Sequence, residues 1–320
     1  MISPARVEQL DSLPPAQPWR WLDLRCYLRA GSPLPVQSKR GCAFECVHCT
    51  YRLIEGGEYR LRSPEAVAAE IEEGKRREVR RFEFVDWTFN HPPAHALMLC
   101  EAIARRELGV ELQTTGLNPG AVSLELLQLM RRAGFRSAVC TPDSGSKRML
   151  EVLRKGFGLD EAARTAAYAR QAGLSILWSF VSGGPGECEA TVKESLRLME
   201  GALGPQDRIM CTLGLRIYPG TELERIARTE GALRPQADLL EPTFYFSRQV
   251  SPKRVLDMLE SSRLRPQMLY LEELQHRSLG WALRLHTALR LPGVPWAALP
   301  VYNRLARWVG GEGRRFSRAD

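Results

Sequence analysis

Apolar and polar residues switch between two periods along this chain. Phe82-Glu83-Phe84-Val85-Asp86 alternates apolar and polar positions, the two-residue period of a strand. Ahead of it, Ser63-Pro64-Glu65 offers a capping hydroxyl, a proline for the first helical position and an acid in the first turn. Together they predict a helix over 63–75. The alternation then repeats. Helices are expected over 93–107, 123–133, 146–155, 160–172, 189–201 and 221–230, and strands over 36–40, 82–86, 110–115, 135–140, 174–181 and 207–217. Six strands interleaved with helices predict a parallel sheet covered by helices, an α/β fold. With right-handed crossovers such a sheet curls into an open barrel. The chemistry of a parallel barrel sits at the C-terminal ends of its strands.

The flanks differ from this core, taken as 35–250. Residues 1–34 are rich in proline and predict irregular structure. Residues 251–320 carry apolar stripes (Val255, Leu256, Met258, Leu259; then Leu274, Trp281, Leu285, Leu289) that predict a helical extension capping the barrel. A chain of 320 residues with 44% hydrophobic content can bury a large core, as one barrel with an appendage or as two ordinary domains. It has no apolar run of bilayer length and no secretory pattern at its start. With cysteines that suggest no disulfide framework, this predicts a reducing, cytoplasmic setting. The net charge of +8 is largely arginine. A nucleic-acid partner is one reading of that charge, but no RNA-binding module accompanies it, and a solvated arginine-rich surface is preferred.

The candidate chemistry begins at Lys39-Arg40-Gly41-Cys42-Ala43-Phe44-Glu45-Cys46-Val47-His48-Cys49. Three cysteines spaced x3 then x2 follow a glycine on one short loop, so their sulfurs can converge. Thiolates favour zinc or an iron–sulfur cluster over hard cations. Zinc would need a fourth ligand, His48 or His91, and His48 is strained for that role by lying between two of the cysteines. The other cysteines (Cys26, Cys100, Cys140, Cys188, Cys211) are scattered singly, as small buried hydrophobes are.

This spacing resembles the signature of the radical S-adenosylmethionine (radical SAM) superfamily. The resemblance implies a (β/α)6 partial barrel and a [4Fe-4S] cluster on Cys42, Cys46 and Cys49, whose remaining iron binds SAM. The strand ends resemble the cobalamin-type and methylthiotransferase-type branches, over about 36–250. The resemblance implies SAM contacts from Phe44 and His48, and from Asp86 in Val85-Asp86-Trp87. Asp143 and Ser144 in Asp143-Ser144-Gly145-Ser146 would add to these, with Gly183, Gly184 and Gly186 in Gly183-Gly184-Pro185-Gly186-Glu187, and Arg216 before Tyr218-Pro219-Gly220-Thr221. Two residues depart from the pattern: His48 stands where an aromatic ring is usual, and Asp143 where glutamate is. The segment before Cys42 is too short for a Rossmann-like cobalamin domain, so cobalamin is not expected on this chain alone.

The expected activity is reductive SAM cleavage to a 5′-deoxyadenosyl radical. That radical would modify a small molecule, lipid or natural-product intermediate, with an electron donor such as flavodoxin or ferredoxin. The alternatives are tRNA or protein modification, and C-methylation with cobalamin supplied by a partner.

Overall fold

The computed structural model describes residues 6–29, 32–204 and 207–270. The first elements are helix α1 (Leu24–Arg29), strand β1 (Leu34–Val36), strand β2 (Lys39–Arg40), helix α2 (Tyr51–Glu55) and strand β3 (Arg60–Leu61). The alternating series follows: α3 (Pro64–Arg76), β4 (Arg81–Phe84), α4 (Pro93–Ala104), β5 (Glu111–Leu117), α5 (Leu124–Ala133) and β6 (Phe135–Asp143). It continues with α6 (Lys147–Val152), α7 (Leu159–Ala172), β7 (Ser175–Ser182), α8 (Glu189–Ala202) and β8 (Arg208–Leu213). Last come β9 (Leu215–Arg216), α9 (Glu222–Thr229), β10 (Phe244–Tyr245), α10 (Pro252–Ser261) and β11 (Met268–Tyr270).

One sheet runs β1-β4-β5-β6-β7-β8-β11, with every neighbouring pair parallel. This is the expected open α/β barrel with one more strand than the alternation predicted. The added strand, β11, lies beyond residue 250 and pairs with β8. The rest of the expected C-terminal extension, 271–320, lies outside the described residues.

Local chemistry explains the elements that matter for the site. Ser63 caps α3 by accepting from the Ala66 amide, and Val67, Ala68, Ile71 and Gly74 turn inward. A β-carbon at Gly74 would meet the Phe82 ring at 2.7 Å, so the glycine lets α3 approach β4. Phe84, Phe89 and Phe135 interlock with ring centroids 5.0 to 5.6 Å apart in the main core.

Three expected boundaries move. The strand expected over 36–40 is two pieces: β1 joins the barrel, while β2 pairs antiparallel with β3. The strand expected over 207–217 breaks at Gly214, whose φ of 79° sends β9 off to pair antiparallel with β10. The N-terminal segment holds α1 and short helical turns rather than being wholly irregular.

Candidate metal and cofactor site

The cysteine loop leaves β2 at Gly41 and enters α2 at Tyr51. Gly41 has φ 88°, and a β-carbon there would come within 1.9 Å of the Glu58 carbonyl oxygen, so only glycine fits this turn. The loop is then clamped from three sides. The Cys42 amide donates to the Gly56 carbonyl at 3.0 Å, the Val47 amide to Leu153 at 3.3 Å, and the Leu223 amide to Val47 at 2.8 Å. The Val47 side chain is buried in a second apolar cluster with Met149, Leu153 and Leu223. The middle of the loop is thereby fixed to α6 and α9, with a cysteine on each side of the anchor.

All three cysteines are free. Their thiols act electrostatically on one another, with Cys42 felt at Cys46 and both felt at Cys49. Burial pushes the Cys46 thiol up, and it pushes Cys49 up to about 11 even though the Tyr51 amide donates to its sulfur at 3.4 Å. Such thiols stay protonated at neutral pH unless a bound cation holds them as thiolates. Among the described residues no three His, Cys, Asp or Glu side chains close on a single ion. A structural zinc site needs that convergence. An iron–sulfur cluster places its thiolates on different irons. The donor set, three free thiols on one short loop, fits a cluster whose thiolates sit on different irons.

The remaining predicted residues fall into two groups. Phe44, His48 and Asp143 lie with the cysteine loop. Phe44 meets His91 edge-on at 5.0 Å. His48 Nε2 is 3.7 Å from Asp143 Oδ2; burial lowers the pKa of this ring, and its Nδ1 is buried without a partner. Asp143 stands at φ 65°, in the left-handed region, at the end of β6.

The others are held by the scaffold. Asp86, 1% exposed, accepts from the Ser38 amide at 2.8 Å, from the Ser38 hydroxyl and from the Lys39 amide at 3.3 Å. Lys39 Nζ lies 3.6 Å from the same carboxylate and donates to the Phe89 carbonyl at 2.8 Å. Both Asp86 oxygens thus tie down the strand that leads into the cysteine loop. Ser144 is buried against Ser195, with their hydroxyls 3.1 Å apart, and accepts from the Ser146 amide. In the glycine turn, a β-carbon at Gly183 would meet the Phe246 ring at 2.5 Å, and one at Gly184 would meet Met149 at 3.0 Å. Gly186 has φ 74°. Arg216 is exposed and lies over the Tyr218 ring at 4.7 Å. Among the described residues no hydrogen bond or ring contact joins Gly186 or Arg216 to the cysteine loop.

Four neighbours of the loop are not among the site residues expected from the sequence. Lys155 is buried and donates to Asp143 at 2.6 Å. Tyr59 places its hydroxyl 4.0 Å from the Cys42 sulfur, and burial raises its pKa. Tyr51 stacks on the half-exposed Trp87 with centroids 5.4 Å apart. Tyr51 and Trp87 had a signal, the one two residues after Cys49 and the other beside Asp86 at the end of its strand.

Comparison with known proteins bears on the family and the fold. The profile of the Radical SAM superfamily matches residues 36–199, half of the chain. An uncharacterized methyltransferase of Pyrococcus horikoshii is 27% identical over 227 residues, covering 68% of this chain and 47% of the relative. Cytidylyl-2-hydroxyethylphosphonate methyltransferase of Streptomyces wedmorensis is 26% identical over 258 residues, covering 74% and 47%. The chain thus spans about half the length of these curated relatives. The solved radical SAM methyltransferase TsrM of Kitasatospora setae, with cobalamin and a [4Fe-4S] cluster bound, superposes with TM-score 0.76 at 20% identity. That match covers 90% of this chain and 62% of TsrM, and it is a likeness of fold.

Proposed function

This chain belongs to the radical SAM superfamily, and from that premise we propose that it is an enzyme that reductively cleaves SAM at a [4Fe-4S] cluster held by Cys42, Cys46 and Cys49. The observation that carries this is the clamped loop. Three free thiols lie on one short loop, and that loop is fixed to α6 and α9 through Val47. Cys42, Cys46 and Cys49 would hold such a cluster, which would supply the single electron needed for reductive cleavage of SAM.

The protein's own residues hold and shield that chemistry. Gly41 and Val47 set the loop's path, and Asp86 fixes its approach through Ser38 and Lys39. Phe44, His48 and Asp143, grouped at the loop, are the residues proposed to face SAM. Ser144, Gly183, Gly184, Gly186 and Arg216 are proposed to act from the neighbouring strand ends.

Methyl transfer to a small molecule is the outcome we favour for the radical, because both relatives named above are methyltransferases. Cobalamin would then come with a domain or partner beyond the residues described. No feature of the described surface favours RNA over a small substrate. Gel filtration of the reconstituted protein with hydroxocobalamin tests the cofactor's place. Corrin absorbance running free of the protein peak is expected, and tight one-to-one retention would assign cobalamin to this chain itself.

A further inference from the structure

Lys155 and Asp143 are both nearly excluded from solvent, at 6% exposure each, and are joined at 2.6 Å. Their backbone setting ties them to the cysteine loop. Leu153, two residues before Lys155, accepts from the Val47 amide, and Asp143 faces His48 between the second and third cysteines. A buried ion pair carries no net charge but still has a direction. Both charges are felt at the Cys46 sulfur, and that of Lys155 at Cys49 as well. The same Asp143 oxygen meets Lys155 Nζ at 2.6 Å and lies 3.7 Å from His48 Nε2, so the pair adjoins the loop between Cys46 and Cys49. In a low-dielectric interior the field of such a dipole is weakly screened. Cluster potentials respond to nearby charge, hydrogen bonding and solvent exposure.

We propose that the buried Asp143–Lys155 ion pair, seated beside the cysteine loop, sets the reduction potential of the cluster at this loop. Lys155 acts as a positioning residue whose charge stabilises the single electron accepted from an external reductant. No atom is transferred and no bond is made or broken. The inference rests on the reading of the three cysteines as cluster ligands.

The test compares the wild-type chain with Lys155→Met, Asp143→Asn and the double variant, each loaded anaerobically with iron and sulfide and titrated without SAM under EPR detection. Asparagine suits position 143 because it tolerates the left-handed φ of 65° found there. Removing the lysine leaves a buried carboxylate and moves the midpoint to more negative potential. Removing the carboxylate leaves a buried cation and moves it the other way. Each single change shifts the reduction equilibrium about tenfold or more, about 59 mV for one electron. The uncharged double variant, which leaves no unpaired buried charge, falls between the two single variants. Lys155→Arg keeps a midpoint near wild type. Coincident midpoints, or shifts of both single variants in one direction, would overturn the proposal. Loss of the cluster from all three charge-removing variants would make the pair a purely structural feature and overturn it too. Failure of the wild-type chain to load any cluster would instead remove the ligand assignment beneath it.

Discussion

Asp86 illustrates how a residue's partners decide its role. Its carboxylate is shared among Ser38, Lys39 and their amides, and its side chain and that of Lys39 are 0% and 2% exposed. Asp86→Ala leaves the Lys39 charge buried without its counterion, a loss on the order of 3–5 kcal/mol. We expect a lower denaturant midpoint together with reduced iron per chain. An unchanged midpoint with weakened SAM affinity would instead make Asp86 a ligand contact. Glu187 has the opposite character. Burial pushes its carboxyl up from 4.5 to about 7, although the Gly183 and Gly184 amides donate to it and act the other way. The folded state then holds a proton that the unfolded chain has released across that window. Stability from this group is therefore present at low pH and is lost as pH rises towards 7. Glu187→Gln should flatten that part of the curve, as read from urea midpoints at several pH values; an unchanged slope would mean that Glu187 does not titrate there.

At the scale of elements, the cysteine loop depends on supports far away in sequence. Gly41 passes within contact of Glu58, and Val47 is buried beside Leu153 and Leu223. Gly41→Ala forces a β-carbon against the Glu58 carbonyl in a backbone region that alanine disfavours. We expect iron loading to fall sharply while the far-ultraviolet circular dichroism of the barrel stays near wild type. Full loading would show that the turn has room to relax. The cysteine spacing and its glycine were legible in the chain because they are local. Lys155 was not, since its partner Asp143 lies 12 residues earlier, beyond the intervening helix. The glycines of the 183–186 turn were legible as a turn, but their close neighbours are Phe246 and Met149, which only the tertiary fold supplies.

At the scale of the molecule, the alternation of strand and helix was readable because apolar positions recur along the strands and several helices are capped. Ser63, Ser123 and Thr221 all accept from an amide three residues on. The seventh strand was not readable. Met268–Tyr270 is three residues long, and it becomes a strand by pairing with β8 rather than by its own pattern. The parallel sheet brings the ends of β4, β6 and β7 to one side, where the loop after β2 places its three thiols. The most direct test of this account is anaerobic reconstitution with iron and sulfide followed by reduction in the presence of SAM. The account predicts about four irons per chain, formation of 5′-deoxyadenosine, loss of both on changing Cys42, Cys46 or Cys49 to alanine, and retention of both in Cys26→Ala. Stoichiometric zinc with no iron uptake and no 5′-deoxyadenosine would contradict it.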